Sequence, residues 1–280
     1  GDVYKRQAMQ DSPLLVVSDV DGTLLNSRER VSQRMRRAVN SMLRRGTVFT
    51  IATGRPPRWL MPVFEQLPVR PVCACANGAI IYDADRDQIV HAATLEPDLI
   101  RTLIAQLSES VPGVGFAVER AGTSAFDRAD ELFSVSPGYD HAWDSTEHAV
   151  QSLEELAATP VVKLLVRDPN RTSAELFAAV RPFIDATQAK ATYSYEGGLV
   201  EVAAAGISKR SALEWIAAQI GVEAAQTIAF GDMPNDTEML TWAGHGVAMG
   251  NAEESLKEIA DEVTLTNDED GVAAVLSRWF

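Results

Sequence analysis

The stretch Leu14–Leu25 reads LLVVSDVDGTLL, an apolar run that leads into two carboxylates two positions apart. Leu14–Val17 has the character of a short strand buried on both faces, with Asp19 and Asp21 at its C-terminal mouth. In an open parallel α/β sheet that mouth is where ligands bind, and Gly22 lets the chain turn sharply enough for both acids to face one crevice. Crowded carboxylates repel, so the pair calls for a compensating cation or a proton-transfer task. Three further stretches supply matching parts. Thr53 closes a second β-rich run, Thr47–Ala52, and Asn77 closes a third, Pro71–Ala76. Thr227–Phe230 leads into Gly231-Asp232-Met233-Pro234-Asn235-Asp236, a second acidic cluster at a strand mouth. Lys209 falls in the first turn of an expected helix, where the helix dipole disfavours a cation, which suggests that an anion holds it there.

Asp19, Asp21, Asp232 and Asp236 thus offer hard oxygen ligands with no histidine or cysteine nearby, a set that favours Mg²⁺ over zinc. Thr53, Asn77 and Lys209 would surround a phosphate with donors and a positive charge. A metal, two acids two residues apart and a cationic clamp make a phosphoryl-transfer site.

The elements that must position these groups follow from periodicity. Ser32 caps an expected helix whose apolar positions Met35, Ala38, Val39, Met42 and Leu43 share a face, and Gly46 ends it. Its arginines, at Arg34, Arg36, Arg37, Arg44 and Arg45, are expected to spread over a solvated face without forming an anion site. Trp59–Leu67 reads as another helix. Strand, helix, strand, helix, strand with short connections predicts an α/β fold with a doubly wound, Rossmann-like parallel sheet. The middle third changes to hairpins, helices and poorly patterned loops, which predicts an α+β module inserted into the first domain. The expected division is a core over 9–84 and 204–280, an inserted domain over 85–203, and a lead-in over 1–8 outside the fold.

Composition narrows the function. The 280-residue chain is 46% apolar and 23% charged, and its formal charge is −14. Such a balance argues against nucleic acid, because phosphate-backbone binders need a clustered positive surface. Cys73 and Cys75 lie inside an apolar run, too close for an ordinary structural disulfide and too few for zinc, and read as small strand residues in a reducing compartment such as the cytoplasm. No run of about 18 apolar residues spans a membrane.

As a set, the motifs resemble those of the haloacid dehalogenase superfamily of phosphatases, in particular its Cof-like group with a large type C2 cap. Asp-Val-Asp-Gly-Thr-Leu-Leu fits the first family motif, Thr53-Gly54-Arg55 the second, Lys209 the third, and Gly231–Asp236 the fourth. The place of the insert, after the second motif and before the lysine, marks the cap type. The resemblance implies an Mg²⁺-dependent phosphatase of small phosphorylated metabolites. Asp19 would attack phosphorus to give an aspartyl-phosphate, and Asp21 would protonate the leaving alcohol and then activate water. Mg²⁺ would lie among Asp19, the backbone carbonyl of Asp21, Asp232 and the phosphate, with Asp236 in an outer position or on Lys209. Thr53, Gly54 and Lys209 would hold the phosphoryl group, assisted by Asn77 and Asn235. Arg55 would reach either the substrate or the neighbouring acids, and Glu201 is a candidate substrate contact at the return from cap to core. Two other readings use the same residues: a phosphomutase or phosphotransferase with a different acceptor, and a non-enzymatic receiver that is itself phosphorylated. The length of the chain and the acid at Asp21 count against the receiver.

Overall fold

A computed structural model describes residues 9–143 and 148–280, so the expected lead-in at 1–8 lies outside the described residues. The chain forms two compact units, one running to Asp87 and resuming over Ser208–Phe280, the other spanning Gln88–Ile207. The division falls at 88–207, against the 85–203 expected from sequence.

The first unit is built on β1 (Leu15–Ser18), β2 (Val48–Ile51), β12 (Thr227–Gly231), β13 (His245–Ala248) and β14 (Glu262–Val263), in the order β14-β13-β12-β1-β2 and all parallel. Leu15, Val16 and Val17 are completely buried, as a strand covered on both faces requires, whereas Leu14 stays exposed. The chain leaves β1 toward β2 on one side and returns at β12 on the other. The sheet therefore switches direction between β1 and β12, where open α/β sheets form their ligand crevice.

β3 (Val72–Cys75) joins this sheet by one parallel bridge, Ala52 to Ala74, and otherwise pairs antiparallel with β4 (Ile80–Asp83). Cys73 and Cys75 are buried and free. α1 (Gln33–Arg44) starts at Ser32, whose hydroxyl accepts the Met35 amide, and Gly46 leaves the helix with a positive φ of 73°. α1 packs on α10 (Gly271–Leu276), and α7 (Lys209–Gln219) packs on α8 (Thr237–Trp242); α9 (Glu254–Ile259) links β13 to β14. The helix expected over Trp59–Leu67 shrinks to the single turn α2 (Met61–Phe64). Pro62 lacks an amide hydrogen and its ring crowds the preceding turn, so it is accepted in the first turn of α2 and the helix cannot extend back from it toward Trp59.

The second unit carries β5 (Gln88–Ala92) and a six-stranded sheet built from β6 (Gly115–Glu119), β7 (Phe133–Val135), β8 (Ala149–Val150), β9 (Lys163–Arg167), β10 (Ala189–Thr192) and β11 (Leu199–Ala204). Its order is β10-β11-β9-β6-β7-β8, antiparallel except between β7 and β8. Side chains alternate across a strand, so Leu164 and Val166 join Phe116, Val118, Val200 and Val202 in a core with α3 (Pro97–Ser110), α5 (Leu153–Leu156) and α6 (Ser173–Val180). Within the poorly patterned part of this middle third, the described residues contain β7 and the turn α4 (Ala129–Leu132). The fold is thus α/β, a parallel core with an inserted α+β unit.

Candidate active site

Register assembles the site. Ser18 pairs with Phe230 across β1 and β12, and the Asp19 amide donates to the Phe230 carbonyl at 3.0 Å, so Asp19 and Asp232 emerge side by side from adjacent strands. Beyond Asp19 the chain closes a wide turn, in which the amides of Leu24 and Leu25 reach back five residues to the carbonyls of Asp19 and Val20. Gly22, at φ 73°, is obligatory in it, because a Cβ there would lie 2.1 Å from the Asp232 carboxylate. The turn also brings the Thr23 hydroxyl within 3.3 Å of both Asp19 Oδ2 and Asp232 Oδ1. Thr23 had no assigned role in the sequence reading. Its position next to the Asp-x-Asp-Gly motif was the available signal, but its second partner lies 209 residues away.

Lys209 is completely buried at the start of α7. Its ammonium donates to Asp19 Oδ1 at 2.9 Å and to Asp236 Oδ1 at 2.6 Å, which explains a cation at a helix N-terminus. The other oxygen of Asp236 accepts the backbone amides of Asp232 and Met233. Gly231 fits against the Asp236 side chain at a distance a Cβ could not share, and Gly78 fits against the Ser208 carbonyl in the same way. Asp236, expected either in an outer position at a metal or on Lys209, accepts from Lys209.

Carboxylate oxygens of Asp19, Asp232 and Asp236 lie within 4.8 Å of one another, all three residues buried. Three carboxylates face one ammonium, leaving two negative charges. Burial, reinforced by the charge of Asp19, pushes the Asp236 carboxyl up to about 6. The same two causes raise Asp232 well above the ordinary carboxylate range. Burial alone would lower Lys209, but Asp19 and Asp236 outweigh it and hold the ammonium protonated. The cluster therefore has hard oxygen donors, close spacing and a deficit of positive charge, a combination that fits a hard divalent cation.

Asp21, expected to offer its backbone carbonyl to the metal and its carboxyl for proton transfer, keeps that carboxyl outside the cluster of Asp19, Asp232 and Asp236. Its exposed carboxylate is gripped by the Arg55 guanidinium, Nε to Oδ2 at 2.8 Å and Nη2 to Oδ1 at 2.6 Å. Arg55 Nη1 is anchored on the Trp59 carbonyl at 2.8 Å, which settles the choice left open for this arginine in favour of its acidic neighbour.

Thr53 is buried, and its hydroxyl accepts the Arg55 amide at 3.0 Å across Gly54. Its carbonyl accepts the amide of Asn77, which sits at φ 57° in the turn after β3. Asn77 Oδ1 in turn accepts from Asn235 Nδ2 at 3.0 Å, while Asn235 Oδ1 is buried without a hydrogen-bond partner. Thr53, Asn77 and Asn235 are thus joined through side-chain and backbone contacts. Glu201 belongs to the other unit, buried on β11, where it accepts from Lys163 Nζ at 2.7 Å and from the Ser194 hydroxyl.

A parallel sheet whose switch point holds a buried carboxylate and ammonium cluster, beside a threonine and two asparagines, defines a phosphoryl-processing hydrolase. The chain belongs to the haloacid dehalogenase-like hydrolases, as a phosphoric monoester hydrolase among them, with the family profile matching residues 16–276. It is 32% identical over 283 residues to the phosphatase YwpJ of Bacillus subtilis, across 94% of this chain and 99% of that protein. It is 29% identical over 277 residues to the 5-amino-6-(5-phospho-D-ribitylamino)uracil phosphatase YitU of the same organism, across 97% and 99%. A solved haloacid dehalogenase-like hydrolase from B. subtilis shares its fold at a TM-score of 0.78 and 27% identity, covering 95% of this chain and all of that one.

Proposed function

We propose that this hydrolase is an Mg²⁺-dependent phosphatase of small phosphorylated metabolites that works through an aspartyl-phosphate. The observation that carries the reading is the buried Asp19–Lys209–Asp236 chain with Asp232 beside it, a nucleophile held by a fixed cation within a cluster still short of positive charge. Asp19 and Asp232 would hold the metal, while Asp236 holds Lys209. Bound there, Mg²⁺ supplies the charge that lets a phosphate dianion approach the carboxylates.

The chain's own residues supply the rest. Lys209 and Thr23 engage the two Asp19 oxygens and fix the carboxylate's orientation. An Asp19 oxygen bonds to phosphorus as the ester P–O bond breaks, and Asp21, freed at one oxygen from Arg55 and protonated from solvent, gives that proton to the departing alcohol. Asp21 then takes a proton from water as the water oxygen bonds to phosphorus and the P–O bond to Asp19 breaks, releasing inorganic phosphate. Lys209, Thr53, the backbone around Gly54, and the Asn77–Asn235 pair stabilise the phosphoryl oxygens. Arg55 keeps Asp21 beside the site, and one of its two contacts opens when Asp21 carries a proton.

A relative named for a phosphorylated ribitylaminouracil and another named HMP-PP phosphatase, from Serratia proteamaculans at 28% identity, support a phosphorylated metabolite as substrate. Two free buried cysteines support work in a reducing cytoplasm, and no helix among the described residues is long and apolar enough to cross a membrane. The test is phosphate release from a panel of small phosphate esters with and without Mg²⁺, beside Asp19→Asn. Turnover by the wild type that requires Mg²⁺ and drops at least about 10³-fold in the variant is expected. Equal turnover by the two proteins would remove Asp19 as nucleophile.

A further inference from the structure

We propose that a cavity between α1 and the C-terminal segment is a second anion site, built for a small, multiply charged phosphate compound. The sequence spreads the α1 arginines over a solvated face, and in the structure Arg34, Arg37 and Arg44 are indeed exposed, side by side along one open groove. Arg34, Arg37, Asn40, Ser41 and Arg44 form one wall of a cavity of about 450 Å³, opposite Ser277 and Phe280. Positions 34, 37, 41 and 44 recur at helical spacing, so their side chains form a single stripe. None of the lining residues belongs to the carboxylate cluster.

Three features mark a site in place of an ordinary basic helix face. First, α1 contains no acidic residue to neutralise its arginines, and like charges three or four positions apart repel. Second, the arginines elsewhere in the chain are commonly paired, as Arg55 is with Asp21, Arg210 with Glu214 and Arg278 with Glu262. Among the described residues, the structure gives Arg34, Arg37 and Arg44 neither an acidic partner nor a hydrogen bond. Third, the opposite wall is pinned, because Arg45 Nη1 donates to the Trp279 carbonyl at 2.5 Å and its guanidinium lies 5.9 Å from the centre of the Phe280 ring. Phe280 is thereby held opposite the exposed arginines, across a half-open groove of about 450 Å³.

The chemistry selects the ligand. Guanidinium groups match phosphate oxygens in pairs, and three of them suit a di- or triphosphate better than a single monoester. Asn40 and Ser41 add neutral donors, while Ala38, Ala273 and Phe280 give one apolar side. A long polyanion is disfavoured by the overall charge of −14, which a small ligand inside the cavity largely avoids.

Calorimetric titration with sodium tripolyphosphate in metal-free buffer tests the site, because without a metal the active-site cluster has no added positive charge to draw the probe. Wild type, Arg37→Gln/Arg44→Gln and Arg28→Gln/Arg30→Gln would be compared, each confirmed folded by its thermal melt. Arg28 and Arg30 are exposed arginines outside the cavity. One site per chain is expected in the wild type, weakened about tenfold or more in the cavity variant, and unchanged in the control, with phosphatase turnover alike in all three. Tripolyphosphate should also protect Arg37 of the wild type from phenylglyoxal. No binding by the wild type, equal affinity in the cavity variant, or equal weakening in both variants would overturn the proposal.

Discussion

Asp21 and Arg55 show how one side chain can set the usefulness of another. Both oxygens of Asp21 are taken by the Arg55 guanidinium, which is itself anchored on the Trp59 carbonyl, so the carboxylate is held in one direction although it is exposed. An exposed pair of this kind contributes about 1 kcal/mol or less to folding. Its effect on proton transfer is larger, because a displaced acid loses its alignment with the leaving oxygen. Arg55→Ala should therefore lower kcat by about ten- to a hundredfold while leaving the melting temperature nearly unchanged. Arg55→Lys, which keeps the charge but not the two-pronged grip, should recover only part of the loss. Steady-state kinetics on the best ester decides the matter: an Arg55→Ala enzyme with unchanged kcat would show that Asp21 needs no such aiming.

Among the elements, α7 is the one whose position the site depends on most, since its first residue is Lys209. Its approach to the turn after β3 is close: at Gly78, with φ 93°, a Cβ would lie 2.0 Å from the Ser208 carbonyl oxygen. Gly113 has nearly the same φ, 90°, but nothing within 4 Å of its missing Cβ. The two glycines separate backbone strain from collision. Gly113→Ala should cost about 1 kcal/mol, the strain alone, whereas Gly78→Ala should cost about 2 to 5 kcal/mol, because backbone must move as well. The moved backbone carries Lys209, so Gly78→Ala should also lose turnover at temperatures where it remains folded. Chemical denaturation of both variants, with activity measured beside it, distinguishes the two contributions.

The whole molecule feels the same site through its folding equilibrium. In the metal-free protein Asp232 and Asp236 hold their protons more tightly folded than unfolded, so their contribution to stability is full below the ordinary carboxylate value of 3.8 and fades as pH rises above it, for Asp236 through about 6. A cation bound by ionised carboxylates reverses that loss. The stabilisation by Mg²⁺ should therefore be near zero around pH 4 and grow as pH rises, to about 3 kcal/mol at a hundredfold excess over its dissociation constant once the acids are ionised. Asp232→Asn should abolish it. Thermal melts across this range with and without Mg²⁺ make the comparison, and an increment independent of pH would separate the metal from these acids.

Local physics made much of this protein readable from its sequence. A fully apolar run followed by Asp-x-Asp-Gly gave β1 and the mouth of the site, a serine and a glycine bounded α1, and a lysine in a helix's first turn pointed to an anion, later found to be Asp19 and Asp236. Such signals lie within a few residues of one another and need no knowledge of the rest of the chain. Partners far apart in sequence required the tertiary structure. Thr23 reaches Asp232 across 209 positions, and Lys209 reaches Asp19 across 190. The α1 arginines line a cavity only because α10 and Phe280 close it from the other end of the chain. Asp21, inside the most legible motif, turned toward Arg55, because in a turn the side a residue faces is fixed by φ and ψ and by the partner waiting there. Composition and spacing decided which chemistry was present, and strand register and helix packing decided which of those groups met.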